Sequence, residues 1–201
     1  MNNKIVLAYS GGLDTSYCIL HLIDEGYEVH AVSVNTGGFS NEELVELDQR
    51  AMAMGAARYE CIDITEQYYD DCLRYLIYGN VLRSNTYPLS VSSERAFQAM
   101  AILKYAKTHG INTIAHGSTG AGNDQIRFDT VFISDADDFE IITPIRDKKL
   151  SRQEEIDYIH SKGFDWSEQK KNYSINQGLW GTSIGGKETL TSRHTIPEEA
   201  Y

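Results

Sequence analysis

Residues 8–16 read Ala-Tyr-Ser-Gly-Gly-Leu-Asp-Thr-Ser, a short stretch that combines two adjacent glycines with three hydroxyl side chains. An anion can approach a glycine backbone closely, and the hydroxyls of Ser10, Thr15 and Ser16 add hydrogen-bond donors. A tight turn that leads into a helix also aims free N–H groups and the positive end of the helix dipole at one point. This combination predicts a phosphate-binding loop.

A second glycine-rich stretch, residues 117–128, reads Gly-Ser-Thr-Gly-Ala-Gly-Asn-Asp-Gln-Ile-Arg-Phe. Asn123 offers a donor and an acceptor, Asp124 offers a fixed negative charge, and Arg127 offers a planar fork that fits a carboxylate. These three groups together would orient a zwitterionic amino acid. The plainer alternative is a flexible loop closed by an ion pair between Asp124 and Arg127.

Both stretches follow short apolar segments that predict buried strands. Residues 5–8 are branched and uncharged, as in a buried parallel strand, and further strands are predicted at 29–34, 58–63, 111–115 and 139–145. The predicted helices lie beyond Ser16 as far as Gly26, from the Ser40 capping box to Gly55, from a Thr65 cap to Gly79, over 93–109, and from the Ser151 capping box to Gly163. This alternation predicts a doubly wound, mostly parallel α/β sheet, which binds ligands at the carboxyl ends of its strands.

The helical and strand periodicity fades after residue 164, where glycine, serine, threonine and asparagine become frequent. We therefore expect an α/β domain that carries the phosphate-binding loop over residues 1–164 and part of a second, α+β domain over 165–201.

Composition limits the partners of the chain. The formal net charge of −11 over 201 residues argues against a nucleic-acid interface, which requires a basic face. No apolar run approaches the length of a membrane span, so no membrane partner is expected. The three cysteines are isolated and favour a reducing compartment, and the six histidines have no metal-binding spacing. We expect a cytoplasmic protein without a protein-held metal.

The common phosphate motifs do not match the first loop, since it lacks both the lysine of a Walker loop and the glycine spacing of a dinucleotide fingerprint. It resembles instead the loop of the ATP pyrophosphatase enzymes, the adenine nucleotide alpha hydrolase-like group, which split ATP into AMP and pyrophosphate. The whole chain resembles the argininosuccinate synthase family. Four segments carry this resemblance in order along the chain: residues 8–16, residues 87–89 with Ser92 and Arg95, residues 116–128, and residues 173–183.

The resemblance implies a fold, a reaction and a set of contacts. The reaction is a ligation in which ATP activates citrulline as citrullyl-AMP, releasing pyrophosphate, and aspartate then displaces AMP to give argininosuccinate. The implied substrates are citrulline, aspartate and ATP with Mg²⁺, and the implied assembly is a homotetramer. The implied contacts are, for ATP, Ala8, Tyr9, Ser10, Gly11, Gly12, Leu13, Asp14, Thr15, Ser16, Val34 and Gly117; for aspartate, Thr119, Asn123 and Asp124; and for citrulline, Tyr87, Ser92, Asn123, Arg127, Ser174 and Ser183, with Asp14 and Asp124 as catalytic residues.

The sequence departs from the family pattern at Ala121, where a lysine is usual, and around Ser92, where Ser90-Val91 and Ser93-Glu94 replace the usual residues. Two other functions stay open on the sequence. One is another ATP pyrophosphatase-type synthetase, either tRNA-thiolating or coupled to an amidotransferase. The other is a nucleotide-binding fragment without activity.

Overall fold

The structure of the chain is a computed structural model that describes residues 3–120, 123–135, 138–166 and 174–200. The strands are β1 Lys4–Ala8, β2 Glu28–Asn35, β3 Arg58–Asp63, β4 Leu82–Arg83, β5 Tyr87–Pro88, β6 Thr113–His116, β7 Glu140–Ile142, β8 Ser174–Gln177 and β9 Thr182–Gly185. The helices are α1 Leu13–Asp24, α2 Asn41–Ala53, α3 Thr65–Tyr68, α4 Arg74–Tyr78, α5 Ser90–Thr108, α6 Asp124–Asp135, α7 Pro144–Lys148 and α8 Arg152–Ser161, with a π-helical turn at Tyr69–Leu73 and 3₁₀ turns at Lys187–Leu190 and Glu198–Ala200.

The central sheet has five strands in the order β3-β2-β1-β6-β7, all parallel. Its middle strand, β1, has a side-chain alternation that separates two cores. Ile5 and Leu7 pack with residues of α1, α2 and α8 on one face, whereas Val6 packs with α5 and α6 on the other. All three are fully buried, and each contributes about 1.5–3 kcal/mol through removal from water. Helices on both faces of a parallel sheet confirm the doubly wound α/β prediction.

The strand order also fixes where a ligand can bind. The chain leaves β1 on one side to form β2 and later returns on the other side of β1 to form β6. The loops after β1 and β6 therefore diverge above the carboxyl ends of adjacent strands. This topological switch point is where open α/β sheets bind ligands.

Several helix boundaries differ from the predicted ones. Helix α1 begins at Leu13, before Ser16, because Gly12 already has the extended backbone of an N-cap. Thr65 was wrongly predicted as a cap: it is the first residue of α3, and its N–H donates to Asp63 Oδ1 at 2.8 Å. Helix α5 begins at Ser90, three residues earlier than predicted, and continues to Thr108.

The predicted strand at 139–145 was wrong in its second half. Strand β7 ends at Ile142, and Pro144 starts the short helix α7. Proline suits the first turn of a helix because the N–H it lacks would have no partner there. By contrast, both predicted capping boxes, Ser40 with Glu43 and Ser151 with Glu154, are confirmed.

The last part of the chain contains an antiparallel ribbon of β8 and β9, in which Ser174 pairs with Gly185 and Asn176 with Ser183. Ser90 Oγ at the start of α5 donates to the Trp180 carbonyl at 2.5 Å, which ties this ribbon to the sheet domain. The domain boundary near residue 165 stays a prediction. Across the described ranges, none of the helices has both the length and the apolar character that crossing a membrane requires.

Candidate functional site

The first loop joins β1 to α1 and has the backbone geometry of an anion site. Gly11 is in the left-handed region with φ +72°, and a Cβ there would overlap the Leu47 side chain. Arg50 Nη1 fixes the turn by donating to the Gly11 carbonyl at 2.7 Å. Gly12 caps α1 without any side-chain cap, so no side chain competes for the N–H groups of the first helical turn. An anion can take that place.

The hydroxyl groups of this loop form a local network. Ser10 Oγ lies 3.2 Å from Thr15 Oγ1, and Thr15 Oγ1 can donate to the Gly12 carbonyl at 3.3 Å. Tyr9 and Ser16, in the same loop, are buried. Burial raises the pKa of Tyr9 to about 12, so its phenol stays protonated. Ser10 is exposed, and Thr15 is mostly buried but lines the cleft described below, so these two are the aliphatic hydroxyls of the loop that a ligand can reach.

The second loop follows β6 and touches the first. A Cβ on Gly117 would lie 3.1 Å from Thr15 Cγ2 and 3.2 Å from Asp14 Cβ, which is closer than ordinary packing. Glycine at this position lets the two loops meet.

His116, at the end of β6, holds the second loop in place through an ion-pair network. Its Nε2 lies 3.0 Å from Asp129 Oδ1, and Asp129 Oδ2 accepts from Arg146 Nη1 at 2.5 Å. Burial lowers the pKa of His116. The N–H of Ser118 donates to His116 Nδ1 at 3.3 Å, which assigns the proton of the neutral ring to Nε2.

A cleft with a volume of about 810 Å³ lies between the two loops, within the range of small-molecule sites. Residues 175–177 of β8 line one side of this cleft. The predicted site residues that line it are Ala8, Tyr9, Ser10, Gly12, Leu13, Asp14, Thr15, Val34, Gly117, Thr119 and Asp124. The structure thus brings the predicted phosphate loop and part of the predicted amino-acid loop to one cavity.

The other predicted residues lie outside this lining. Gly11 and Ser16 are buried within the first loop, and Arg127 Nη1 donates to Asp124 Oδ1 at 2.6 Å. The remaining ones are Tyr87 on β5, Ser92 in the first turn of α5, Asn123 just before α6, and Ser174 and Ser183 on the β8–β9 ribbon. Ala121 lies outside the described residues.

The cleft also has polar walls that the sequence predictions did not include as site residues: Thr36, Glu43, Glu94, Gln98, Arg95, His116, Ser118, Gln125, Arg152, Asn176 and Gln177. Among them Arg95 links three elements. Its Nε donates to Asp124 Oδ2 at 3.2 Å, and its Nη2 donates to Asn176 Oδ1 at 3.3 Å. Arg95 lies in a segment that resembles the family's citrulline-contacting loop, and this resemblance could have identified it as a site residue from the sequence.

An acidic pair lies at the base of the first loop. Glu155 on α8 is 3% exposed, and burial together with the charge of Asp14 raises its pKa well above the usual range. The proton therefore stays on Glu155, which can hydrogen-bond to the Asp14 side chain. This arrangement limits the negative charge beside the phosphate loop.

A doubly wound parallel sheet with an uncapped glycine loop and a cleft at its switch point places the chain in the class of open α/β proteins that bind ligands at the carboxyl ends of their strands. Within this class, the model of the arginosuccinate synthase N-terminal HUP domain matches residues 4–165. The chain belongs to that family.

Two similar relatives are argininosuccinate synthases of Methanocaldococcus jannaschii and Staphylococcus saprophyticus. Each is 41% identical over the whole of this chain, which covers 51% of the former and 50% of the latter. The chain spans about half the length of the curated relatives it matches. A solved structure titled as a predicted subunit of tRNA methyltransferase from Methanocaldococcus jannaschii has 17% identity and a TM-score of 0.47, covering 71% of this chain and 68% of its own.

Proposed function

We propose that this chain supplies the ATP-binding part and a share of the amino-acid-binding part of an argininosuccinate synthase. The observation that carries the proposal is the single cleft shared by the loops after β1 and β6. The name of the relatives that are 41% identical supports the same reaction.

The reaction needs positioning more than it needs a protein nucleophile. The ureido oxygen of citrulline attacks the α-phosphorus of ATP, the bond to the bridging oxygen breaks, and pyrophosphate leaves with that electron pair. The aspartate amine then attacks the ureido carbon of citrullyl-AMP, loses a proton and expels AMP. Holding three substrates in one cleft lowers the barrier chiefly by replacing encounters with fixed geometry.

The β1–α1 loop would bind the phosphates. The N–H groups at the start of α1, with the hydroxyls of Ser10 and Thr15, would donate to the phosphate oxygens, and Val34 would contact the nucleotide from β2. A donor placed at the developing charge is typically worth ~3–4 kcal/mol of barrier.

The nucleotide would enter as its Mg²⁺ complex. Asp14 lines the cleft at the phosphate loop, and no cluster of three metal-binding side chains occurs among the described residues. This donor set fits an ion that is held mainly by phosphates and water with one carboxylate. The ion would neutralise charge on the departing pyrophosphate.

The second loop would hold aspartate through Thr119, Asn123 and Asp124. Citrulline would bind between this loop and α5, with Asn123 and Arg127 on one side. The remaining citrulline contacts are proposed at Tyr87, Ser92, Ser174 and Ser183. We further propose that the enzyme works in the cytoplasm as a homotetramer.

Pyrophosphate release from MgATP by this chain tests the proposal. We expect citrulline to raise the rate at least tenfold and aspartate to add argininosuccinate as a product. The variant Thr15→Val should lose most of this rate, because the loop loses a donor, whereas Thr130→Val, which removes a hydroxyl that donates to a carbonyl within α6, should not. Release that ignores citrulline, or that requires tRNA or glutamine, would contradict the proposal, and ATP binding without release would favour a nucleotide-binding fragment.

A further inference from the structure

Glu94 is a buried carboxyl group with an unused acceptor. It lies in the first turns of α5, is 4% exposed, and its Oε1 has no hydrogen-bond partner among the described residues. A buried charged oxygen without a partner costs free energy, so such groups are rare in folded proteins and call for a partner such as water, an ion or a ligand. Glu94 also lines the cleft between the two loops.

The neighbouring cation does not satisfy this oxygen. Arg95 Nη1 lies 3.7 Å from the other oxygen, Glu94 Oε2, which is beyond hydrogen-bond range. The same Nη1 donates to Gln98 Oε1 at 3.0 Å, while Nε and Nη2 of Arg95 are used by Asp124 and Asn176. Arg95 therefore stays near Glu94 without bonding to Oε1.

The fold makes room for the carboxyl group at this point. The turn after β8 passes directly over it, and a Cβ added at Gly178 would overlap Glu94 Oε1. Thr36, just after β2, hydrogen-bonds to this carboxyl group, and with the charge of Arg95 it opposes the rise in the pKa of Glu94. Glu94 is thus held between β2, α5 and the β8–β9 ribbon, on the side of the cleft where Asn176 and Gln177 also lie.

We propose that Glu94 binds the α-ammonium group of the amino acid that occupies the β8–β9 side of the cleft. This inference rests on the proposed function, under which that amino acid is citrulline. An ammonium group carries only donors, which is what a lone carboxylate acceptor requires. A metal ion fits less well, since the described residues provide no cluster of three metal-binding side chains here.

The direct test compares two ligands and two variants by calorimetry, with a non-cleavable ATP analogue present. Citrulline carries the ammonium group, and 5-ureidopentanoate is the same molecule without it. We expect Glu94→Gln to weaken citrulline binding about tenfold or more, as loss of a charge-assisted hydrogen bond should, and to leave 5-ureidopentanoate binding unchanged. The control Glu66→Gln, an exposed residue of α3, should change neither.

Each alternative outcome is decisive. Equal losses for both ligands would assign Glu94 a structural role and overturn the inference, as would citrulline binding that Glu94→Gln does not change. A wild-type chain that binds the ATP analogue but not citrulline would overturn the proposed function, and this inference with it, before any variant is compared.

A second measurement uses only the wild-type chain, in case the variant does not fold. Burial raises the pKa of Glu94 to about 7, Asp124 on α6 adds to the rise, and Arg95 opposes it. Near pH 7, an ammonium ligand should therefore expel roughly half a proton from the site, because it favours the ionised carboxylate. Calorimetry in buffers of different ionisation enthalpy would measure this release with citrulline, and none is expected with 5-ureidopentanoate. Citrulline binding without proton release would overturn the inference.

Discussion

Asp124, at the start of α6, lines the cleft and bonds to two arginine side chains. It accepts from Arg95 on α5 through Oδ2 at 3.2 Å and from Arg127 on its own helix through Oδ1 at 2.6 Å. A carboxylate that accepts from two guanidinium groups fixes the positions of both groups. Those groups can then present unused N–H donors to a substrate carboxylate.

Arg127→Ala removes one of these guanidinium groups. We expect it to weaken citrulline binding by about tenfold or more, because a charged hydrogen bond is lost, while ATP affinity changes little. Isothermal titration with each ligand measures the two effects separately. The matched control is Arg74→Ala, which removes an arginine from the exposed i,i+4 pair with Asp70. Equal losses for citrulline and ATP would contradict the assignment of Arg127.

Asp124→Asn keeps the shape of the side chain that bonds to Arg95 and Arg127 and removes its negative charge. Aspartate should then bind about tenfold more weakly, since the substrate ammonium loses its counter-charge, and ATP affinity should stay the same. The control is Asp71→Asn, an exposed residue of the π-helical turn. Unchanged aspartate affinity would remove Asp124 from the site.

Glu94 should cost stability when no ligand is present. Its folded pKa is raised from 4.5 to about 7, so the folded state binds more protons than the unfolded state between these values. The contribution of Glu94 to the free energy of unfolding is therefore fully present below about pH 4.5 and is lost as the pH rises to about 7. We expect Glu94→Gln to gain stability relative to wild type over that interval in urea titrations. Parallel pH profiles for the two proteins would show that Glu94 titrates normally.

At the scale of elements, the site depends on two loops in van der Waals contact. Gly117 is the contact point, and the network from His116 through Asp129 to Arg146 holds the second loop against β6 and α6. The first loop is held separately by Arg50 from α2. Each loop is thus held by side chains of neighbouring helices: α2 for the first loop, and α6 and α7 for the second.

Gly117→Ala should force these loops apart, because its Cβ would approach Thr15 and Asp14 to 3.1–3.2 Å. We expect ATP affinity to fall at least tenfold. The control Gly120→Ala lies in the same loop, and its Cβ would make an ordinary contact of 3.9 Å with Arg146. Thermal unfolding separates local displacement from general destabilisation. Equal ATP affinity in both variants would show that close contact between the loops is unnecessary.

Much of this arrangement could be predicted from local sequence. The branched segment before Gly11 and the capping boxes at Ser40 and Ser151 are short-range signals, and all three are found in the structure. Pro144 misled the strand prediction because proline suits both a strand end and a helix start. The π-helical turn at Tyr69–Leu73 has no recognised local signal in the sequence.

The walls of the cleft were harder to predict because they depend on contacts between distant segments. Glu94 and Asn176 are far apart in the chain but line the same cleft, because Arg95, the neighbour of Glu94 on α5, donates to Asn176 on β8. Glu94 was noticed as a departure from the family pattern, yet nothing local showed that its carboxyl group would be buried. Burial of a charged side chain is a property of the folded chain, and no periodicity reports it.

At the scale of the whole molecule, an acidic protein must attract a polyanion. The formal charge of −11 repels ATP at long range, but screening limits this effect to about 8 Å at physiological ionic strength. Within that distance the uncapped start of α1 and the cleft-lining residues Arg95 and Arg152 can attract a phosphate group, although carboxylates such as Asp14 line the same cleft. The sheet topology allows this local attraction in a protein of net negative charge, because β1 and β6 are adjacent and their following loops meet at one cleft.

The structure of this chain with ATP and citrulline bound is the most direct test of the shared cleft. We expect phosphate oxygens at hydrogen-bond distance, about 2.7–3.2 Å, from the backbone N–H groups that begin α1, with citrulline between Asp124 and the β8–β9 ribbon and its ureido oxygen facing the α-phosphorus. A nucleotide bound away from the β1–α1 loop, or a citrulline separated from it by the sheet, would contradict a shared cleft.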